Sequence, residues 1–228
     1  MAAFGYPICL ELSGRRCVVV GGGAVAEQKV RGLLDGGGDV VVVAGQVSVG
    51  LEALVEHGHL RVVRRDYSPG DLKGALLAIA ATDDPAVNGA VYEEATADGV
   101  LINSVDDIVR CQFSVPSIVR RGELTLAIST GGRAPALSKK LRKGLSAQFG
   151  PEYGDLVSLV GEVREAARPE RARVDFDTWA ARWEAALDDD VIALVADGRL
   201  EEARARLLAV LAGVTVLPQA QGTAGGSS

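Results

Sequence analysis

Aromatic residues are scarce in this 228-residue chain, at 4% of positions, while Val, Ala, Leu and Gly are abundant. That balance argues against an all-β sandwich and for an α/β core. Cysteine is also rare: Cys9, Cys17 and Cys111 are widely spaced, with no C-x-x-C pair. They are too few and too scattered for a disulfide framework, a zinc site or an iron–sulfur cluster, and read as free buried thiols. The two histidines, His57 and His59, flank a glycine in a helix-to-strand turn. Two imidazoles alone make a poor metal site, so a surface role is expected and no metal ligands are assigned.

Long apolar runs are missing as well. None approaches the roughly 18 residues needed to cross a bilayer, and the N-terminus lacks a basic region followed by an apolar stretch and a cleavage site. The expectation is a cytoplasmic protein without a membrane partner. Positive charge is in deficit, 24 Lys and Arg against 30 Asp and Glu, for a net charge of −6. With no aromatics interleaved among its basic residues, the chain is not expected to bind nucleic acid.

What is present is rhythm. From residue 15 to 106, short β-branched apolar runs alternate with amphipathic stretches, the pattern of repeated βαβ units and a parallel sheet. Strands are predicted at Cys17–Val20, Val40–Ala44, Arg61–Arg64, Leu76–Ala81 and Val100–Ser104, with helices at Ala24–Leu34, Val47–Glu56 and Ala86–Ala97. Thr82-Asp83-Asp84-Pro85 is a helix start, a polar N-cap followed by Pro in the first turn. After Asp106 the rhythm changes: Gln112–Val119 and Leu124–Ser129 predict a hairpin around Arg120-Arg121-Gly122-Glu123. Its exposed edges call for a cover, and a partner subunit is a natural one. Helices are expected at Ala134–Phe149, Pro151–Ala167, Phe176–Leu187, Asp190–Ala196 and Leu200–Ala212, with a charge-rich break at Arg168–Asp175. Residues 219–228 are small and polar, and a disordered tail is expected there.

Between the first strand and first helix lies Gly21-Gly22-Gly23-Ala24-Val25-Ala26, a G-x-G-x-x-A in the context a Rossmann dinucleotide fingerprint requires. Gly21 would permit the tight turn, Gly23 the approach of a pyrophosphate and Ala26 close helix–strand packing. The following helix would turn its N-terminal N–H groups, at Ala24 and Val25, toward the phosphates. The acidic residue expected at the end of the second strand, where the adenosine ribose binds, is missing: Val43-Ala44-Gly45-Gln46 stands there. No Arg cluster favours a 2′-phosphate, so NAD is the expected cofactor, with Gly45 and Gln46 as ribose contacts.

A second asymmetry follows the strands. From Arg110 to Lys143 the chain carries Arg110, Arg120, Arg121, Arg133, Lys139, Lys140, Arg142 and Lys143 against Glu123 alone, a local balance of +7 that leaves −13 elsewhere. Charge segregated in this way suits a focused anion site, although a solvated helix face would also account for a basic run.

These pieces in order resemble the precorrin-2 dehydrogenase/sirohydrochlorin ferrochelatase family, also found as the N-terminal module of siroheme synthases. The resemblance rests on the glycine fingerprint, Ala80-Ala81-Thr82-Asp83-Asp84 with Asn88, Asn103-Ser104-Val105-Asp106, Phe113-Ser114-Val115-Pro116-Ser117-Ile118, and Ser129-Thr130-Gly131-Gly132-Arg133-Ala134-Pro135. It implies NAD-dependent oxidation of precorrin-2 to sirohydrochlorin, in some members also Fe²⁺ insertion to give siroheme, and a homodimer built through the segment after the Rossmann domain. Asp106 occupies the family's catalytic position, with Asp107 as its neighbour and rival. Thr82 and Asp83 join Gly21, Gly23, Ala24, Val25, Ala26, Gly45 and Gln46 as expected cofactor contacts. Asn103, Arg110, Ser129, Thr130, Gly131, Gly132, Arg133, Lys139 and Arg142 are the expected contacts to a substrate bearing eight carboxylates. The implied organisation is a Rossmann domain over 1–111, a dimerisation and substrate-binding segment over 112–148, a helical domain over 149–218 and the tail. The competing class is a non-enzymatic NAD(H)-sensing module, which explains the fingerprint but leaves Asp106 and the cations without work.

Overall fold

The computed structural model describes residues 5–214, so the tail predicted at 219–228 lies outside the described residues. Five short strands, β1 (Arg16–Val20), β2 (Asp39–Val43), β3 (Arg61–Val63), β4 (Leu77–Ala80) and β5 (Leu101–Ser104), form a parallel sheet in the order β3-β2-β1-β4-β5. Helices α1 (Ala24–Asp35), α2 (Val49–Glu56) and α3 (Pro85–Asp98) connect them. The strands β1, β2 and β4 read as near-continuous apolar runs because both their faces are covered. Val19, Val42 and Ile79 pack with Val30 and Leu33 of α1 and Leu51 of α2. On the opposite face Val18, Val43, Ala78 and Ile102 pack with Val91 and Ala95 of α3. Val18, Val19 and Val42 are fully buried, each contributing roughly 1.5–3 kcal/mol relative to an exposed side chain.

Register decides where a site can form. Val20 pairs with Val43 on one side and with Ala80 on the other, Val43 with Val63, and Ala80 with Ser104, so all five strands end in one row. Strand order reverses between β1 and β4, and ligands of open α/β sheets bind beyond the strand ends at such a point. The long connection from β3 to β4 is tied down by Glu94 of α3, whose carboxylate accepts from the amides of Gly70 (3.0 Å) and Leu72 (2.9 Å) and from the Tyr67 hydroxyl. Burial, reinforced by the Glu94 carboxylate, pushes the Tyr67 phenol well above its ordinary range.

Residues up to Val115 together with Thr130–Ala134 form one compact unit; Pro116–Ser129 and the chain from Pro135 onward form a second. In the second, β6 (Ser117–Arg121) and β7 (Leu124–Ile128) make an antiparallel hairpin closed by Gly122 and Glu123, with Gly122 at φ 54° as a two-residue turn demands. The first hairpin strand starts at Ser117 rather than Gln112, because the Gln112 amide is bonded to the Ile102 carbonyl (2.8 Å) and Phe113 packs in the sheet core. Helices α4 (Pro135–Gln148) and α5 (Glu152–Ala166) pack on the hairpin. Gly154 of α5 lies so close to Arg121 and Gly122 that a Cβ there would stand 3.1 Å from backbone carbon.

Next come α6 (Arg168–Arg171), α7 (Phe176–Ala186), α8 (Asp189–Ala196) and α9 (Leu200–Leu211). The four-residue α6 occupies part of the predicted break, started by Pro169. Leu159 and Val163 of α5 meet Val191, Leu194, Leu207 and Leu211 in a core of their own. Asp175 and Asp188 cap α7 and α8, accepting from the amides of Thr178 (2.8 Å) and Val191 (2.9 Å). Of the three cysteines expected to be buried, only Cys17 is; Cys9 is exposed and Cys111 half-buried. No helix among the described residues is long and apolar enough to cross a membrane.

Candidate active site

The glycine turn shows why each glycine is there. Gly21, at φ 120°, donates its amide to the Val43 carbonyl (3.0 Å), and a Cβ on it would collide with the Ala81 carbonyl. A Cβ on Gly22 would collide with the carbonyl of Gln46. These two residues are glycine because protein backbone crosses over them. Gly23 differs: it is the N-cap of α1, no side chain caps the helix there, and the space over its Cα is open. The first N–H groups of α1 thus lack the side-chain acceptor that caps most helices, and an anion can take that place. Ala24 and Val25 are exposed in the first turn, whereas Ala26 is buried against the sheet, as the fingerprint predicts. Gly45 and Gln46 are exposed just beyond β2. A pyrophosphate cradle with an open glycine and an uncapped helix fits a dinucleotide.

On the other side of the switch point lies a cavity of about 370 Å³, lined among others by Val25, Thr82, Asp83, Ser104, Asp106 and Arg110. Its floor is locally braced. Asp84 caps α3, accepting from Ala86 N (2.8 Å), and the Thr82 hydroxyl donates to Asn88 Oδ1 (2.8 Å) while Asn88 Nδ2 returns to the Thr82 carbonyl (2.9 Å). Asn103 is buried, its amide donating to the Phe113 carbonyl (3.0 Å) and toward Cys111 Sγ (3.4 Å). Cys111 Sγ also lies within 3.2 Å of the Ser104 amide and of the Ser104 and Asp107 carbonyls, and burial raises its pKa. Asn103 therefore clamps the loop after β5 onto its own strand.

That loop holds the two aspartates in different states. Asp107 accepts from Arg110 N (3.3 Å) and from Arg110 Nη1 (3.2 Å), capping a single 3₁₀ turn at Ile108–Arg110. Asp106 is exposed, and its carboxylate has no hydrogen-bond or ion-pair partner among the described residues. It is also the only non-glycine with positive φ among them, at 60°. Alternation along a strand would send successive residues to opposite faces, but the left-handed turn at Asp106 brings both aspartates to the same cavity. Asp107 is spent on structure and Asp106 is not.

The remaining expected contacts fall in both units. Thr130, Gly131, Gly132 and Arg133 belong to the first. There the Thr130 carbonyl accepts from Arg133 N (3.1 Å) and its Oγ1 from Ala134 N (3.2 Å). Gly131 and Gly132 have φ 60° and 76°, and a Cβ on Gly132 would press on Ile108. Ser129 belongs to the second unit, with Lys139 and Arg142 on α4. The basic block is not uniform. Arg121 donates Nε to the Phe149 carbonyl (2.8 Å) and Nη2 to the Ser146 carbonyl and hydroxyl (2.9 Å each), so it ties down the end of α4. Arg133, Lys139, Lys140, Arg142 and Lys143 make no ion pair with the described residues.

The fold and these features define a nicotinamide-dinucleotide-binding α/β protein with an available carboxylate at the switch-point cavity. A family model described as putative NAD(P)-binding matches residues 8–117, and one described as the sirohaem biosynthesis protein central region matches 121–148. The chain is 37% identical over 202 residues to siroheme synthase of Photobacterium profundum, covering 89% of this chain and 43% of that protein. It is 38% identical over 210 residues to siroheme synthase of Methylobacillus flagellatus, covering 91% and 44%. It thus spans less than half the length of these curated relatives. The solved structure of SirC, a precorrin-2 dehydrogenase, superposes with a TM-score of 0.72 at 28% identity, covering 89% of this chain and 98% of that one. The chain belongs to the siroheme synthase and precorrin-2 dehydrogenase family, and a putative NAD(P)-binding region covers its parallel sheet.

Proposed function

We propose that this chain oxidises precorrin-2 to sirohydrochlorin in siroheme biosynthesis, with Asp106 as the base. The observation that carries this reading is Asp106 itself, an unpartnered carboxylate in a left-handed turn at the cavity, next to an Asp107 already committed to Arg110. NAD, when bound, supplies the hydride acceptor. Gly23 and the first turn of α1 hold its pyrophosphate, Gly45 and Gln46 lie along its ribose, and Val25, Thr82 and Asp83 line the cavity where oxidation occurs. The proton left by the departing hydride goes to Asp106, whose carboxylate has no competing donor. Asn103 keeps the loop carrying Asp106 in place.

The substrate's eight carboxylates call for cations that are free to pair. Arg133, Lys139 and Arg142 are such cations, and Arg110, half-buried at the cavity and held by a single half-buried carboxylate, can exchange partners. Ser129, Thr130, Gly131 and Gly132 complete the proposed substrate contacts. The hairpin β6–β7 is a two-stranded sheet with two outer edges, which supports a homodimer as its cover. A cytoplasmic location belongs to the same reading.

Insertion of Fe²⁺ into sirohydrochlorin is the second activity the family resemblance implies. The exposed Asp106 carboxylate is suited to take the two pyrrole protons that metal entry displaces one at a time, passing each to solvent. One spectroscopic experiment tests both steps: precorrin-2 and NAD are mixed with the protein, the spectrum is followed, and Fe²⁺ is then added. The wild type should oxidise the macrocycle, and Asp106→Asn should do so at least about 100-fold more slowly while binding NAD equally well. Full turnover by Asp106→Asn would remove the base assignment. Binding of NAD without turnover of any tetrapyrrole would favour an NAD(H)-sensing module instead, and an unchanged spectrum on adding Fe²⁺ would confine the chain to dehydrogenation.

A further inference from the structure

We infer that Asp66 takes the place of the missing acidic residue at the end of β2 and selects the unphosphorylated adenosine ribose of NAD. The inference rests on the dehydrogenase reading only in that NAD is bound. The strand β2 ends at Val43, and Gly45 beyond it carries no side chain. A Cβ built on Gly45 would stand 3.6 Å from Asp66 Oδ1 and would meet nothing else within 4 Å. Asp66 reaches this point from the neighbouring strand: β3 pairs with β2 through Val43 and Val63, and the Ala44 amide bonds to the Val63 carbonyl (3.1 Å), so the loop after β3 runs beside Gly45. The position where the Rossmann fold places a ribose-gripping carboxylate is filled by the adjacent strand's loop.

The surrounding charges support this assignment. Asp66 is exposed, and its carboxylate has no hydrogen-bond or ion-pair partner among the described residues. The two cations that precede it in the chain are paired: Arg64 bidentately with Glu52 (2.8 and 2.6 Å) and Arg65 with Asp71 (2.7 and 2.6 Å). A 2′-phosphate would therefore be repelled by a free carboxylate, whereas a 2′,3′-diol would find an acceptor. The loop is held ready. Arg65 Nη1 also donates to the Asp66 carbonyl (2.9 Å), the Ser68 amide to Asp71 (2.9 Å), and the Gly70 and Leu72 amides to Glu94, so little ordering remains to be done when the ribose arrives.

The test is a calorimetric titration of the wild type and Asp66→Ala with NAD and, separately, with NADP. The wild type should prefer NAD by tenfold or more. Asp66→Ala should weaken NAD about ten- to a hundredfold, the range for a hydrogen bond to a charged group, and narrow or abolish the preference over NADP. Its melting temperature should not move, because the carboxylate bonds to nothing among the described residues. Unchanged affinities for both nucleotides in Asp66→Ala, or a wild type that binds NADP as well as NAD, would overturn the assignment while leaving the dehydrogenase reading intact. A wild type that binds neither nucleotide would overturn both.

Discussion

Replacing Asp106 by glycine should move stability and activity in opposite directions. Asp106 sits at φ 60°, where a β-carbon crowds the backbone; holding a non-glycine residue there costs of order 1–2 kcal/mol. Glycine removes that strain but loses about 0.5–1 kcal/mol more chain entropy on folding. The side chain makes no hydrogen bond with the described residues, so nothing else is lost. The balance puts Asp106→Gly between equal to the wild type and about 1.5 kcal/mol more stable, a rise of roughly 0–6 °C in Tm. Asp106→Ala keeps the crowding and loses the local polar tolerance of Asp, so it should fall about 1 kcal/mol or more below the glycine variant. Precorrin-2 oxidation should drop by about 10²–10⁴ in both. Urea unfolding is best followed by far-UV circular dichroism, since both tryptophans, Trp179 and Trp183, lie in the second unit and would report on the wrong part of the chain. A glycine variant destabilised by about 2 kcal/mol would mean that Asp106 is held by bonds rather than strained, and one with full turnover would mean that the base is elsewhere.

Two further outcomes separate structure from function in the basic segment and among the thiols. Arg121→Met removes three charge-assisted hydrogen bonds to Ser146 and Phe149 and should lower the stability of the second unit by about 2–4 kcal/mol, seen in the tryptophan fluorescence midpoint. Lys139→Glu, at an exposed and unpaired position, should change stability by less than about 0.5 kcal/mol yet raise KM, with added salt mimicking the effect; the reverse pattern in the two variants would be incompatible with their assigned roles. Burial, with Asp39 nearby, pushes the Cys17 thiol up to about 11, so at pH 8 only about one part in a thousand is thiolate. A disulfide reagent at pH 8 should label exposed Cys9 first and reach Cys17 only on unfolding, and rapid labelling of Cys17 would contradict its burial.

The sheet and its helices were legible because β1, β2 and β4 are buried on both faces, which writes short apolar runs with no competing pattern, and because Asp84-Pro85 announces α3. The cradle was legible as glycines, but their division of labour was not. Gly21 and Gly22 are constrained by the carbonyls of Ala81 and Gln46, residues brought there by parallel pairing and invisible to local spacing. The same pairing explains why no ribose carboxylate stands out along the chain: a linear search stops at Gln46, whereas Asp66 arrives sideways from β3. Side-chain alternation failed at Asp106 and Asp107 because it assumes extended backbone, and φ 60° ends the strand there. Counting charges overstated the basic block, since Arg121 is spent on the Phe149 and Ser146 carbonyls.

Positive φ marks both sides of the switch point, at Gly21 after β1 and at Asp106 after β5, but the two positions obey different rules. At Gly21 the fold takes the residue that suits the backbone, because the Ala81 carbonyl leaves room for nothing larger. At Asp106 no packing forbids glycine and no hydrogen bond among the described residues rewards aspartate, yet aspartate stands there in a conformation that glycine would hold with less strain. Asp107, one residue on, already supplies the cap and the ion pair that would justify an acidic residue structurally. A strained, unpartnered carboxylate at a ligand cavity breaks a local rule without any stabilising return in the folded chain, and such exceptions concentrate where function rather than folding sets the residue.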